Sequence, residues 1–240
     1  MRNRLVFQSM ISQNPCYKIY RSRLEIKMYH MISAIFGYLV GSINPAYLIA
    51  KYKGFDIRKR GSGNAGASNV VITMGNKAGI ITAVFDIFKA FISFRLMAYL
   101  FPQAVLAGEA AGAGCIIGHI FPIFMGFRGG KGLATLGGVV LAFDPRVFLI
   151  LLICEAILVL IVDYICIVPV TASIIFPFMY FRVTDNALGA AIFSLVATVI
   201  CFKHTENFKR IRSGTEAHFS FLWKKDEEIA RLQKNNSNED

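Results

Sequence analysis

The sequence predicts an all-α, polytopic integral membrane protein, with about seven transmembrane helices joined by glycine-rich loops on one face of the bilayer. Three observations carry this. Of 240 residues, 55% are hydrophobic and 17% charged, with mean hydropathy +0.52, whereas a soluble domain has nearer a quarter charged. Charge-free runs at 31–50 and 164–181 reach the ~17–25 residues that a helix needs to cross a bilayer. A soluble α/β protein would show apolar runs of about 4–8 residues broken by turns. The net charge of +11 lies in loops and tails between the apolar runs, which fits membrane topology and anionic partners better than nucleic acid.

The elements follow in order. Residues 1–30 form a basic N-terminal extension, with Arg2, Arg4, Lys18, Arg21, Arg23 and Lys27 set against Glu25. Such a segment resists export and lacks the apolar core of a signal peptide, so translation is expected to begin at Met28 or Met31. The transmembrane domain is 31–203. Its first span is 31–50, followed by the polar stretch 51–77. A second apolar helix, 78–100, contains Asp86, Lys89 and Arg95, and a third covers 106–123. After the loop 124–131 comes the segment 132–143, which is too short to cross upright unless it starts inside the membrane or the bilayer thins around it. Span 147–162 has Glu155 in its middle, and spans 164–181 and 186–203 flank a polar turn. Residues 204–240 are a C-terminal motif and charged tail, solvated or disordered beyond about 224.

Lys and Arg set the orientation. Segment 51–77 holds Lys51, Lys53, Arg58, Lys59, Arg60 and Lys77; loop 124–131 adds Arg128 and Lys131; the tail adds Lys209, Arg210, Arg212, Lys224, Lys225, Arg231 and Lys234. The intervening connections 101–108, 144–146 and 182–185 have almost none. Seven crossings place all three basic regions on the cytoplasmic side of a bacterial inner membrane. The five cysteines show no paired spacing. Neither a disulfide framework nor a metal site is expected, and no cofactor is implied.

Three clusters carry chemistry. In Gly61-Ser62-Gly63-Asn64-Ala65-Gly66-Ala67-Ser68-Asn69, glycines let the backbone turn sharply and aim N–H groups into one concavity, a nest for anions and phosphate above all. Ser62, Asn64, Ser68 and Asn69 add donors, and Arg58 stands just before them. A flexible loop would read similarly. The second cluster is Gly118-His119-Ile120-Phe121-Pro122 with Arg128-Gly129-Gly130-Lys131-Gly132. There the lysine is a point charge for a phosphate oxygen, or else a basic anchor at the interface. His119, polar in an apolar span, should face the bundle interior. The third cluster starts at the end of the last span with His204, Asn207, Arg210 and Glu216; by itself it reads as a charged cap. His204 and Asn207 share a face if the helix continues. Asp86 and Lys89, three apart, read as an inward structural pair, and Glu155 needs a partner that the sequence does not name. No metal-ligand set or nucleotide P-loop stands out, so an enzyme here would work by positioning and charge stabilisation.

These three motifs, in order over residues 36–216, resemble the bacterial acyl-phosphate-dependent glycerol-3-phosphate acyltransferase family. The resemblance also rests on Ala46 to Lys51, Gly54, Asp56-Ile57-Arg58, Asp86 with Lys89, and Gly214-Thr215-Glu216. It implies a seven-helix enzyme with a cytoplasmic site that moves an acyl chain from acyl phosphate to the 1-hydroxyl of sn-glycerol 3-phosphate. Lysophosphatidic acid and phosphate would be the products, at the first step of phospholipid synthesis. The resemblance implies that Ser62 and Lys131 hold glycerol phosphate and that Asn64, Ala65 and Gly66 cradle acyl phosphate. Gly63, Ser68, Asn69, Gly129, Gly130 and Arg58 would complete the binding loops. His119, His204, Asn207 and Glu216 would orient groups in the site. The chain departs from the family pattern at Ile72, where an arginine that binds glycerol phosphate is usual. It departs further at Ser68, Asn44, Arg128, Ala90 and 163–166. Ile72 motivates an alternative, a relative with another phosphorylated acceptor. Glu155 and Arg95 motivate a transporter or binding protein for a phosphorylated solute, although transport sites usually lie at the midplane between repeats and no internal repeat is visible.

Overall fold

The structure, a computed structural model, describes residues 15–222 together with Lys224 and Arg231. The first half of the basic N-terminal extension and most of the tail past 222 lie outside the described residues. Among those described, every regular element is helical: α1 (Pro15–Gly41), α2 (Pro45–Tyr52), α3 (Ala67–Met74), α4 (Asn76–Leu100), α5 (Ala107–Ile120), α6 (Leu133–Phe143), α7 (Pro145–Val162), α8 (Val168–Thr184), α9 (Ala187–Lys203) and α10 (Thr205–Ser213), with short 3-10 turns between.

Burial is arranged for a lipid solvent. The exposed faces are apolar: Ile80, Ile81, Val84, Phe85, Phe88 and Ile92 on α4, and Leu149, Ile150, Ile153, Ile157, Leu160 and Ile161 on α7. The interior holds Ser33, Thr82, Asp86, Lys89, Ser93, Glu109, His119, Thr135, Glu155 and His204. In water this would expose an aggregating surface; in hydrocarbon the apolar face is free and polar groups must turn inward. Four helical stretches are long and apolar enough to cross a membrane: Ser22–Tyr52, Ala107–Met125, Pro145–Val162 and Ala187–Ser213. The protein is an integral membrane protein.

The segment expected as one span at 31–50 is divided. α1 runs unbroken through residue 30 and stops at Gly41, and α2 starts afresh at Pro45. Asn44 caps α2 through Oδ1, which accepts from Tyr47 N at 2.9 Å, and Pro45 fits the first turn because no intrahelical N–H is needed there. The broken end of α1 is satisfied from inside the bundle: Lys89 Nζ donates to Gly41 O at 2.9 Å and Ile43 O at 2.7 Å. A cation at a helix C-terminus is the favourable sign.

α1 and α5 approach closely because both present glycine four apart. A Cβ at Gly37 or Gly41 would overlap the carbonyl of Ala111 or Cys115, and one at Gly114 or Gly118 would overlap that of Ala34 or Tyr38. Two interlocked G-x-x-x-G faces let backbones meet without a hydrophobic driving force. The main core joins α4 to α9 around Ile116, Val139, Phe176, Tyr180, Phe193 and Ile200. Two polar bridges cross it: Tyr180 OH donates to Glu109 Oε1 at 2.8 Å, and Thr171 Oγ1 to Glu155 Oε2 at 2.7 Å. The second names the missing partner of Glu155.

Candidate active site

The glycine-rich loop 60–66 is built around one buried amide. Asn69, 1% exposed, donates through Nδ2 to Arg60 O at 3.0 Å, Asn64 O at 2.8 Å and Ile57 O at 3.3 Å, while its Oδ1 accepts from Ser62 N at 2.9 Å. Gly61 and Gly63 sit at φ +58° and +71°, where a side chain is strained. Asn44 Nδ2 ties Ala65 O to α2 at 2.9 Å. Asn69 thus shapes the nest from within, its amide already engaged, while the Ser62 and Ser68 side chains stay exposed. α3 starts at Gly66 without a side-chain cap, so its first N–H groups point toward the same loop end without intrahelical acceptors. Ile72 is exposed on α3, a helix with no cationic side chain.

Arg58 is also engaged. Nη2 and Nε bind the Asp56 carboxylate at 2.7 and 3.0 Å, Nη1 donates to Met125 O at 2.5 Å, and the guanidinium lies over the Tyr47 ring at 5.1 Å. Hydrogen bonding to Arg58 outweighs burial and holds the Asp56 carboxyl at about 2. The pair staples the first glycine loop to the second, and Met125 packs beside Ile57, Ala65 and Val70 in one apolar cluster.

His119, 3% exposed, faces the interior as its polarity requires. Asp86 Oδ1 lies 2.7 Å from Lys89 Nζ and 3.3 Å from His119 Nδ1. This triad joins α4, α5 and the end of α1. The loop 129–130 returns along α5, with Gly129 N donating to Ile120 O at 3.2 Å and Gly130 N to His119 O at 3.1 Å. A Cβ at Gly130 would overlap the His119 ring, and one at Gly129 the His119 carbonyl. These glycines therefore serve close packing that delivers Lys131.

Lys131 reaches the third motif. Its Nζ donates to Asn207 Oδ1; Asn207 Nδ2 donates to Glu216 Oε1 at 2.6 Å, and Arg210 Nε to Glu216 Oε2 at 2.8 Å. The relay Lys131–Asn207–Glu216–Arg210 is half buried. Burial pushes the Lys131 ammonium below its ordinary 10.5, and Arg210 adds to this against the opposing pull of Glu216. α9 does not continue straight into α10. His204 ends the first and starts the second, with Asn207 N donating to His204 O at 3.0 Å. His204 Nδ1 donates to Ile200 O at 2.8 Å. Gly214, at φ +72°, turns the chain so that Glu216 comes back to Arg210. Cys166, in the 163–166 stretch that departs from the family pattern, is buried in the turn after α7. Burial first, and then the negative charge of Glu216, push its thiol up to about 12.

Residues 31–214 match the family model described as glycerol-3-phosphate acyltransferase. This chain belongs to that family. A glycerol-3-phosphate acyltransferase of Thermoanaerobacter sp. (strain X514) is 38% identical over 194 residues, 79% of this chain and 96% of the relative. One from Aquifex aeolicus (strain VF5) is 36% identical over 186 residues, 77% and 96%. The crystal structure of PlsY, an integral membrane glycerol 3-phosphate acyltransferase, superposes with TM-score 0.75 in its glycerol 3-phosphate form, at 34% identity over 80% of this chain and 96% of that one. Its lysophosphatidic acid form gives 0.72 at 33% identity, with the same coverage. As a member of the glycerol-3-phosphate acyltransferase family, the chain is an acyltransferase of phospholipid synthesis.

Proposed function

We propose that the chain moves an acyl group from acyl phosphate to the 1-hydroxyl of sn-glycerol 3-phosphate, on the cytoplasmic face of a bacterial inner membrane. The observation that carries this is the convergence of Lys131, Asn207, Glu216 and Arg210 from motifs 76 positions apart, with the loop 60–66 shaped to present N–H groups and Arg58, just before it, bound to Met125 O of the Lys131 loop. Lys131 and Ser62 hold the acceptor phosphate. The backbone of Asn64, Ala65 and Gly66, with Gly63 and Ser68, cradles the acyl phosphate at the start of α3. Asn207 and Glu216 fix the lysine, and His204 stands at the α9–α10 junction with its carbonyl accepting from Asn207 N.

An apolar groove of about 540 Å³ between α1, α5 and α9, lined by Ala34, Tyr38, Gly114, Ile117, Leu195 and Val199, suits an acyl chain. Tyr38 closes its loop end, its hydroxyl donating to Phe121 O at 2.9 Å. The acceptor oxygen attacks the acyl carbon, the acyl C–O bond to phosphate breaks, and the departing phosphate takes the proton. Acyl phosphate is already activated, so positioning and charge stabilisation supply the catalysis. Residues 31–203 form the membrane-embedded domain and 204–216 close the site from the cytoplasm.

Purified protein given palmitoyl phosphate and radiolabelled glycerol 3-phosphate should form labelled lysophosphatidic acid. No product, with a homologue active in parallel, would sink the proposal. Lys131→Ala should remove most activity, roughly 10²-fold or more for one lost charge-stabilising donor, while the protein stays in the membrane. Normal turnover in that variant would make the second motif structural.

A further inference from the structure

The segment past residue 214, where the family match ends, folds back onto the turn between α7 and α8. Asp163 ends α7 at φ +61°, a conformation that aspartate tolerates better than most side chains. Phe219 N donates to its carbonyl at 2.7 Å. Both carboxylate oxygens are taken by a single tail residue: Ser220 N donates to Oδ1 at 2.7 Å and Ser220 Oγ to Oδ2 at 2.8 Å. Beside this latch the Tyr164 and His218 rings pack at 4.8 Å, with the Tyr164 hydroxyl 3.0 Å from His218 Nε2. A second clamp comes from further along: Arg231 Nη1 donates to Gly214 O at 2.6 Å and Nη2 to Glu216 O at 2.7 Å.

These contacts bracket the site. The turn that carries Asp163 also carries the buried Cys166, and Glu216 holds Asn207, which holds Lys131. The backbone on either side of Thr215 is gripped by Arg231, and four residues after Glu216 the chain is pinned to Asp163. Gly214 is a left-handed turn after which Thr215 N and Glu216 N return to Arg210 O at 2.8 and 3.1 Å, and the strap holds the same stretch from its far side. We infer that Asp163, Ser220 and Arg231 are positioning residues for acyl transfer, the C-terminal segment acting as a strap that holds Glu216 against the 163–166 turn and so aligns Lys131.

The inference rests on the acyltransferase reading, and its test separates the two. Full-length wild type, Ser220→Ala, Ser220→Thr and Arg231→Ala would be compared for kcat, for KM of both substrates, and for the rate of Cys166 alkylation read by mass spectrometry. Ser220→Ala and Arg231→Ala should lower kcat on the order of tenfold, the equivalent of one lost hydrogen bond to a charged group, with smaller changes in KM. Cys166 should alkylate several-fold faster in both, because release of the strap uncovers it. Ser220→Thr keeps the hydroxyl and should restore kcat and protection together. Wild-type kcat and wild-type Cys166 protection in both alanine variants would overturn the strap. A wild type without acyl transfer defeats the acyltransferase reading instead, and Cys166 protection then decides the strap alone.

Discussion

Lys131 is penalised by its surroundings before any substrate arrives. Burial and the Arg210 guanidinium both oppose its charge, so a dianionic phosphate is the group that relieves it. The sign follows. With the folded pKa depressed, the ammonium is lost at a pH below the ordinary 10.5, and the alkaline limb of kcat/KM should fall there. In the window just below 10.5 the unfolded chain holds a proton that the folded chain has released, so stability rises with pH. Lys131→Arg, charged at every accessible pH, should move the alkaline limb upward in a pH–rate profile, with reduced activity at neutral pH; an unmoved limb would assign it to another group. The lysine itself was legible, because glycines on both sides signal close approach. Its partner was not, since Asn207 is 76 positions away. Asn69 misled in the other direction. It reads as a donor to phosphate, but only the fold shows its amide turned into the loop.

At the scale of elements, the α1–α5 pair is the tightest test of the architecture. Gly114→Leu would drive a side chain into the Ala34 carbonyl, and overpacking of this kind costs about 1–3 kcal/mol. Thermal unfolding in detergent should show a clear drop in Tm. Ala98→Leu, on the exposed face of α4, should leave Tm unchanged, and equal Tm values for the two would mean that the seam is not close-packed. The four-residue glycine spacing is visible in the sequence, but the identity of the opposing helix is not. The division of 31–50 had a signal too, Asn44-Pro45, masked by a continuous apolar run on both sides. What fixes the break is Lys89, on another helix, and no local pattern reports it.

The molecule as a whole is turned inside out relative to a soluble bundle, and composition alone announced that. Helix type and approximate limits followed from apolar run length, because hydrocarbon leaves the backbone few options. The orientation rests on lysine and arginine placement and is testable directly. With all five native cysteines replaced by serine, single cysteines at Lys59, Arg128 and Lys209 should resist a membrane-impermeant maleimide in intact cells and react in inverted vesicles. Cysteines at Arg146 and Asp185 should do the reverse. All five reacting from the same side would overturn an odd number of crossings between the basic loops and the turns at 144–146 and 182–185.

The Asp86–Lys89–His119 triad has a consequence for ionic strength. Salt acts on charges that water reaches, with a screening length of about 10 Å at 0.1 M and 3 Å at 1 M. The triad is buried, with Asp86 1% and Lys89 5% exposed, so the clasp that shapes the broken helix should be indifferent to salt. The cations of the proposed phosphate site, Lys131 foremost, are partly open and should not be. Raising potassium chloride from 0.1 to 1 M, as illustrative bounds on screening, should raise KM for glycerol 3-phosphate while Tm stays fixed. The protein would then bind its substrates in one electrostatic regime and hold its shape in another.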